Sequence, residues 1–353
     1  MQPPPGVPAR AGILISMACF VVVVKGIQAA SPVLVPFLLS VFIAVAVSPP
    51  MFWMEKKKIP TGLAVLAIVL VVLMLFLLLV NIITGAIEEF TRSIPAYQQR
   101  MEALVSNVVP LLQGWHIDIT SETLLNVLNP GRMMAFLGGL LSRLGGVFTN
   151  TFFIVLTVIF ILMEASGFSV KLQAALGNGN ASHKGFHRIT EGIRHYLAIK
   201  SATSLTTGGV IYLGLTVFGV DFPAIWGLIA FIFNFVPNIG SIIAAVPAIL
   251  LATVQLGGMK ALMVAILYLI TNVTIGNLIE PRVMGSGVGL SALVVFLSLA
   301  FWGWVMGPVG MILSVPLTMA LKISLEAREE TRWIAILLGP EKVARNILKE
   351  TAQ

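Results

Sequence analysis

Residues 222–259 read FPAIWGLIAFIFNFVPNIGSIIAAVPAILLATVQLGGM, 38 positions without one Asp, Glu, Lys, Arg or His. As a straight α-helix this run would extend about 57 Å at 1.5 Å per residue, nearly twice the ~30 Å apolar core of a bilayer. It must turn, and its turn signal is Pro237-Asn238-Ile239-Gly240. The limb from Phe222 to Val236 holds 15 residues, about 22 Å of helix, which is short for a crossing. A re-entrant hairpin is one reading; two complete spans kinked by Pro and Gly is the other.

A second charge-free run, 283–321, has 39 residues and a turn signal at Gly307-Pro308-Val309-Gly310. Similar phrases follow the two turns: Gly240-Ser-Ile-Ile-Ala-Ala-Val-Pro247 and Gly310-Met-Ile-Leu-Ser-Val-Pro316. Each hairpin is preceded by an uninterrupted apolar segment, 201–220 and 261–279. With 201–220 running outward and 261–279 inward, the hairpins would enter from opposite sides. That is an inverted-topology repeat, the arrangement that puts solute sites near the bilayer midplane where broken helices meet. The expected fold class is all-α, a polytopic integral membrane protein.

Whole-chain composition agrees. The 353 residues are 58% hydrophobic and 10% charged, with mean hydropathy +0.98, whereas soluble domains carry about 25% charged residues. Further charge-free runs occupy 11–24, 26–54, 59–87 and 144–163. The net charge of +7 fits cytoplasmic loops better than nucleic-acid binding. Cys19 is the single cysteine, which excludes an intrachain disulfide framework. No phosphate-binding Gly-x-x-x-x-Gly-Lys-Ser/Thr and no His-Glu-x-x-His occurs. His183, His187 and His195 share one loop at helical spacing and read as a solvated face rather than a metal site. Gly289-Leu290-Ser291 has no base to make it a nucleophile. The chain is therefore expected to be no enzyme and to need no metal or cofactor.

Basic residues in short loops set the orientation. Lys56, Lys57 and Lys58 follow the second span, and Lys171, Lys184, Arg188, Arg194 and Lys200 crowd the loop after the fourth. Residues 88–146 carry four basic and five acidic groups. Residues 1–10 are expected as a disordered cytoplasmic tail and 11–87 as three spans, the second near 33–48 with irregular ends at Pro32, Pro36, Pro49 and Pro50. Residues 88–146 form extracytoplasmic amphipathic helices, and 147–200 a fourth span with a cytoplasmic loop. The transport domain occupies 201–321 and a cytoplasmic amphipathic helix 322–353, both termini lying inside. Tyr97, Met101, Leu104, Val105, Val108 and Leu112 give 88–146 its helical stripe, and Thr120 reads as the cap of a second helix.

Polar groups within the apolar half mark the candidate site, because they are costly in lipid unless paired or wetted. Asn234, Asn238 and Ser241 surround the first turn. Asn272, Gly276 and Glu280 fall within about 80° at 100° per residue, with Asn277 beside them. One polar stripe facing one polar tip suits a neutral, hydroxyl-rich solute better than an anion; the same asparagines could instead hold helices together. Glu280-Pro281-Arg282 places opposite charges at the inner end of a span, as a coupling site, a latch or a structural ion pair. Asp221 flanks the first hairpin with Lys260, as an interfacial anchor or a second coupling candidate. Pro237, Gly240, Pro308 and Gly310 would shape the tips.

Phe233-Asn234-Phe235-Val236-Pro237-Asn238-Ile239-Gly240, Asn277-Leu278-Ile279-Glu280-Pro281-Arg282, and the run from Gly289-Leu290-Ser291 to Val315-Pro316-Leu317-Thr318 resemble the autoinducer-2 exporter family. With Val35-Pro36-Phe37 and the external segment, the likeness covers nearly the whole chain. It implies a bacterial inner-membrane secondary transporter that exports autoinducer-2, a small polyhydroxylated quorum-sensing furanone. It also implies a homo-oligomer, a pentamer, and an elevator-like shift of the hairpin domain. Other branches resemble Na⁺(Li⁺)/H⁺ antiporters, which need a membrane-embedded carboxylate; Glu280 is the first candidate here and Asp221 the next. From a different class, a non-transporting membrane scaffold would be built on 88–146 and the C-terminal helix.

Overall fold

The computed structural model describes residues 9–114, 135, 138–139, 151–176, 181–237, 239–284, 289–327, 329–341 and 345. All regular structure among them is helical. In chain order the elements are α1 (Ala9–Lys56), α2 (Thr61–Gly114), α3 (Thr151–Leu176), α4 (Ala181–Phe218), α5 (Pro223–Phe233), α6 (Ile239–Leu256) and α7 (Gly258–Thr271). A π-helix (Asn272–Ile279) follows, then α8 (Glu280–Met284), α9 (Ala292–Glu326), a 3₁₀ turn (Glu329–Thr331) and α10 (Arg332–Leu337). Six of these stretches are long and apolar enough to cross a bilayer. Their outer faces carry Leu66, Leu70, Leu77, Leu205, Leu213 and Leu269, all more than half exposed, an apolar surface that only lipid can cover on this scale.

Two expectations for the N-terminal half are corrected. Helical structure runs unbroken from Ala9 to Lys56 through Pro32, Pro36, Pro49 and Pro50, where irregular ends were expected. Each proline removes one backbone donor, but leaving the helix in an apolar medium would strand several. Similarly, the stripe at 97–105 continues α2, the same helix as the 62–87 span, through Pro95. Tyr97, Met101 and Val105 are buried, as an amphipathic stripe requires. Val108, Leu112 and Thr120 lie outside the described residues or side chains.

The chain divides into two compact units. One comprises residues 46–155 and 194–288. Its core joins Ile83, Phe90, Tyr97 and Met101 of α2 to Ile211 and Leu215 of α4, Trp226 and Ile229 of α5, Ala248 and Leu251 of α6, and Val264 of α7. The 222–259 run turns where expected: α5 has 11 residues, about 16 Å and half a bilayer core, and α6 packs back against it. Pro223 occupies the first turn of α5, where its missing N–H costs nothing. A Cβ at residue 240 would collide with the Phe233 carbonyl, so the turn closes only around glycine. Helices α4 and α5 approach as tightly at Gly208 and Gly227: a Cβ on Gly208 would sit 2.7 Å from the Gly227 carbonyl oxygen, and one on Gly227 would sit 2.8 Å from the Gly208 carbonyl oxygen.

The other unit comprises residues 1–45, 156–193 and 289–353. Its 283–321 run also reverses. Trp302 Nε1 donates to Thr318 Oγ1 at 3.1 Å across 16 residues, a separation that a straight helix would stretch to about 24 Å. The reversal is taken at Gly307 (φ 70°, ψ −156°), a conformation open to glycine. A Cβ at Gly310 would strike the Trp302 carbonyl, as at Gly240. Lys322 Nζ donates to the Gly289 carbonyl at 2.6 Å, closing the base of the hairpin. Val24 of α1 is buried with Val305 and Met306 at the tip. The tail, expected as one helix over 322–350, is broken: α9 ends at Glu326, the 3₁₀ turn intervenes, and α10 stops at Leu337 before Gly339-Pro340.

The Gly208–Gly227 crossing yields a paired expectation. Gly208→Ala meets backbone and should lose about 1–3 kcal/mol to overpacking. The neighbouring Gly209→Ala meets nothing within 4 Å and should gain up to about 1 kcal/mol of helix propensity. Thermal unfolding of the detergent-solubilised variants, side by side, reads the difference.

Candidate functional site: a closed polar cavity beside a buried ion pair

Helix α4 presents Lys200, Ser204, Thr207 and Ile211 at spacings of four, three and four, one face of an α-helix. All four are buried. Asn234, at the end of α5 where the hairpin begins to turn, is 9% exposed and donates Nδ2–H to Ser204 Oγ at 2.9 Å. Beside that bond lies a small cavity lined by Thr207, Asn234, Ser241, Tyr268, Thr271 and Asn272, with Ile211, Ala230 and Ala244. It offers about 10 Å³ for the centre of a water molecule, room for about one. Thr207 Oγ1, Ser241 Oγ and Tyr268 OH are buried and have no hydrogen-bond partner among the described residues. Thr271 Oγ1 is satisfied by the Leu267 carbonyl at 2.7 Å. No charged side chain lines the cavity among the described residues.

The structure thus brings together Asn234 and Ser241 from the first hairpin with Asn272 from the next span, as the sequence suggested. It adds Ser204, Thr207 and Tyr268, which the sequence reading missed. Nothing in composition distinguishes those hydroxyls from the many that bond back to their own helix, as Thr206, Thr216 and Thr253 do. Asn277 is exposed and lies apart from the cavity, and Asn238 is outside the described residues. Pro237 stands in the turn and Gly240 is buried at the start of α6. In the other unit, Pro308 directly follows the Gly307 reversal and Gly310 is buried two residues beyond it.

Among the coupling candidates, Glu280 is the one within reach of a buried cation. Lys200 Nζ lies 2.6 Å from Glu280 Oε1, with side chains 4% and 15% exposed. Lys200 is therefore not the loop charge its place in the sequence suggested. Glu280 Oε2 has no partner among the described residues. Arg282 is exposed. Asp221 sits in a separate network at the α4–α5 connection: it accepts from Tyr97 OH at 2.6 Å on Oδ2 and from Trp226 Nε1 on its carbonyl, and its own N–H reaches Gln255 Oε1. Asn272 and Glu280 bracket the π-helix, a geometry rare in proteins and frequent at functional sites. No cluster of three metal-ligating side chains occurs among the described residues.

A multi-pass helical membrane protein with broken helices and a buried neutral polar cavity has the build of a solute carrier. Comparison with known proteins gives the class its family: residues 13–330 match the AI-2E family transporter domain. TqsA, the AI-2 transport protein of Escherichia coli K12, is 39% identical over 327 residues, 93% of this chain and 95% of the relative. YhhT of the same organism is 36% identical over 93% and 94%, and a Haemophilus influenzae relative is 40% identical over 92% and 95%. The chain belongs to the AI-2E family of transporters.

For the Asp221 network the expected role is structural. Tyr97→Phe removes a donor to a carboxylate and should cost about 1.5 kcal/mol, visible as a lower thermal midpoint, while solute flux per folded molecule stays at the wild-type level.

Proposed function

We propose that this transporter exports autoinducer-2 or a similarly small, neutral, hydroxyl-rich solute across the bacterial inner membrane, with both termini inside. The observation that carries the reading is the set of three hydroxyls without a partner among the described residues, beside the Asn234 and Asn272 amides. An unpaired buried hydroxyl costs about 1–3 kcal/mol, and three around one cavity are a standing demand for a polar guest. A polyhydroxylated furanone offers donors and acceptors in kind, and needs no countercharge in the cavity. TqsA, the AI-2 transport protein of Escherichia coli, supports the same solute. The neutral lining also favours this reading over Na⁺(Li⁺)/H⁺ antiport.

The cavity holds about one water, so a furanone enters only if the hairpin α5–α6 and the α7 segment separate. That requirement supports a moving hairpin region. An elevator-like displacement of 201–321, an inverted relation between the two hairpins and a homo-oligomeric scaffold complete the proposal.

Uptake of labelled autoinducer-2 into inside-out vesicles tests it: saturable uptake above empty-vector vesicles is expected, and its absence from well-folded protein would remove the solute from the proposal. The hydroxyls give a second, sign-sensitive test. Tyr268→Phe and Thr207→Val each delete an unsatisfied group, so each should raise the thermal midpoint while lowering uptake at least tenfold. Unchanged uptake would exclude that hydroxyl as a solute ligand.

A further inference from the structure

Two amides line the polar cavity, and they are held differently. Asn234 is fixed by its bond to Ser204. Asn272, half-buried, makes no hydrogen bond among the described residues, so something other than a hydrogen bond decides how its side chain lies. Four residues on, one turn along the same helix face, stands Gly276, within the π-helix. Proline aside, glycine is the least favourable residue for a helix interior, and its presence here asks for a reason. Two usual reasons are absent. Its φ is not positive; among the described glycines that conformation belongs to Gly219, Gly257, Gly289 and Gly307. Nor does another helix press on it, as Gly227 presses on Gly208 and Leu267 on Gly214. Its own helix backbone aside, a Cβ at residue 276 would meet one side chain: Asn272 Oδ1 at 3.1 Å, with Cγ at 4.0 Å. Asn272 would have to give way by a few tenths of an ångström. In a site whose groups must be held to within about 0.5 Å, a shift of that order matters. A residue that goes against local helix preference is expected where function requires it.

We propose that Gly276 is a positioning residue for solute recognition: lacking a Cβ, it lets the Asn272 amide lie back against its own helix, and that pose is the one presented to the solute. Gly276 is not among the residues that line the cavity and acts through Asn272 alone. The helix gives up stability at this position in exchange for the placement of one amide. The inference rests on the solute-carrier reading for its meaning, but the contact it invokes is testable without any solute.

The test is a double-mutant cycle in the full-length protein: wild type, Gly276→Ala, Asn272→Ala and the two together. Gly276→Ala should raise the thermal midpoint, because alanine favours helix. In inside-out vesicles it should also raise the half-saturation concentration for autoinducer-2 at least fivefold, with the maximal rate within twofold of wild type. Stability and affinity thus move in opposite senses. In the Asn272→Ala background the same substitution should leave half-saturation unchanged within twofold. There it should raise the midpoint by about 2 °C more than it does with Asn272 present, since no amide has to be displaced. Wild-type half-saturation in folded Gly276→Ala would overturn the proposal. A fivefold rise that persists without the Asn272 amide would overturn it too, because Gly276 would then act through something else. So would a Gly276→Ala protein that fails to fold, because its Cβ would then be meeting more than one movable side chain. Wild-type vesicles without saturable uptake would remove autoinducer-2 as solute. The midpoints alone would still decide the contact: unequal gains in the two backgrounds uphold it, and equal gains overturn it.

Discussion

Helices α4 and α5 touch backbone to backbone at Gly208 and Gly227, and the polar site is placed by that contact. In lipid no hydrophobic effect draws two apolar helices together, so close approach must come from shape. Two glycines supply it here, each leaving room for the other's carbonyl. The approach sets Ser204, about one turn before Gly208, within reach of Asn234, about two turns beyond Gly227. Gly214, further along α4, leaves space for Leu267 of α7, which brings Tyr268 and Thr271 to the same place. With Ser241 and Ala244 of α6, the four helices leave about one water's volume between them.

That closeness has an energetic side. Elsewhere in this unit Trp226 donates to the Asp221 carbonyl, Tyr97 to the Asp221 carboxylate, and Gln255 bonds both the Asp221 N–H and the Gly219 carbonyl, whereas Glu55 Oε1, Arg194 Nε, Tyr196 OH and Glu280 Oε2 are buried without a partner among the described residues. The Thr207, Ser241 and Tyr268 hydroxyls are three of the seven such atoms among the described residues, and these three gather around one cavity. Local departures from good bonding tend to persist where function requires them. The π-helix is a second departure, on the element that carries Asn272.

Much of this was readable from the residues. Charge-free length alone required both long runs to turn, and the Pro-Gly pairs located the turns to within a residue or two. Asn234, Ser241 and Asn272 stood out because amides and hydroxyls beside helix breaks need an explanation in lipid. What sequence could not give was direction. Lys200 sits at the end of a basic stretch that looks like a loop, and its burial depends on α4 starting well before it, at Ala181. Asn277 shares the segment with Asn272, yet it is exposed; five residues at 100° each already put it about 140° from Asn272, and nearness to Glu280 did not bring it to the cavity. The prolines of α1 carried a break signal that the surrounding apolar helix overrode. Ser204, Thr207 and Tyr268 look like their ordinary neighbours until Asn234 and the cavity single them out.

The pairing of Lys200 with Glu280 has an electrical consequence. A lone charge carried through the full field of a membrane exchanges about 2.3 kcal/mol for every 100 mV. Two opposite charges 2.6 Å apart offset one another in that field so long as they move as one, and no charged side chain lines the cavity among the described residues. With the neutral solute proposed above, such a pair would add no net charge movement to the cycle. Voltage steps across a planar bilayer holding it should then draw no gating current from the pair.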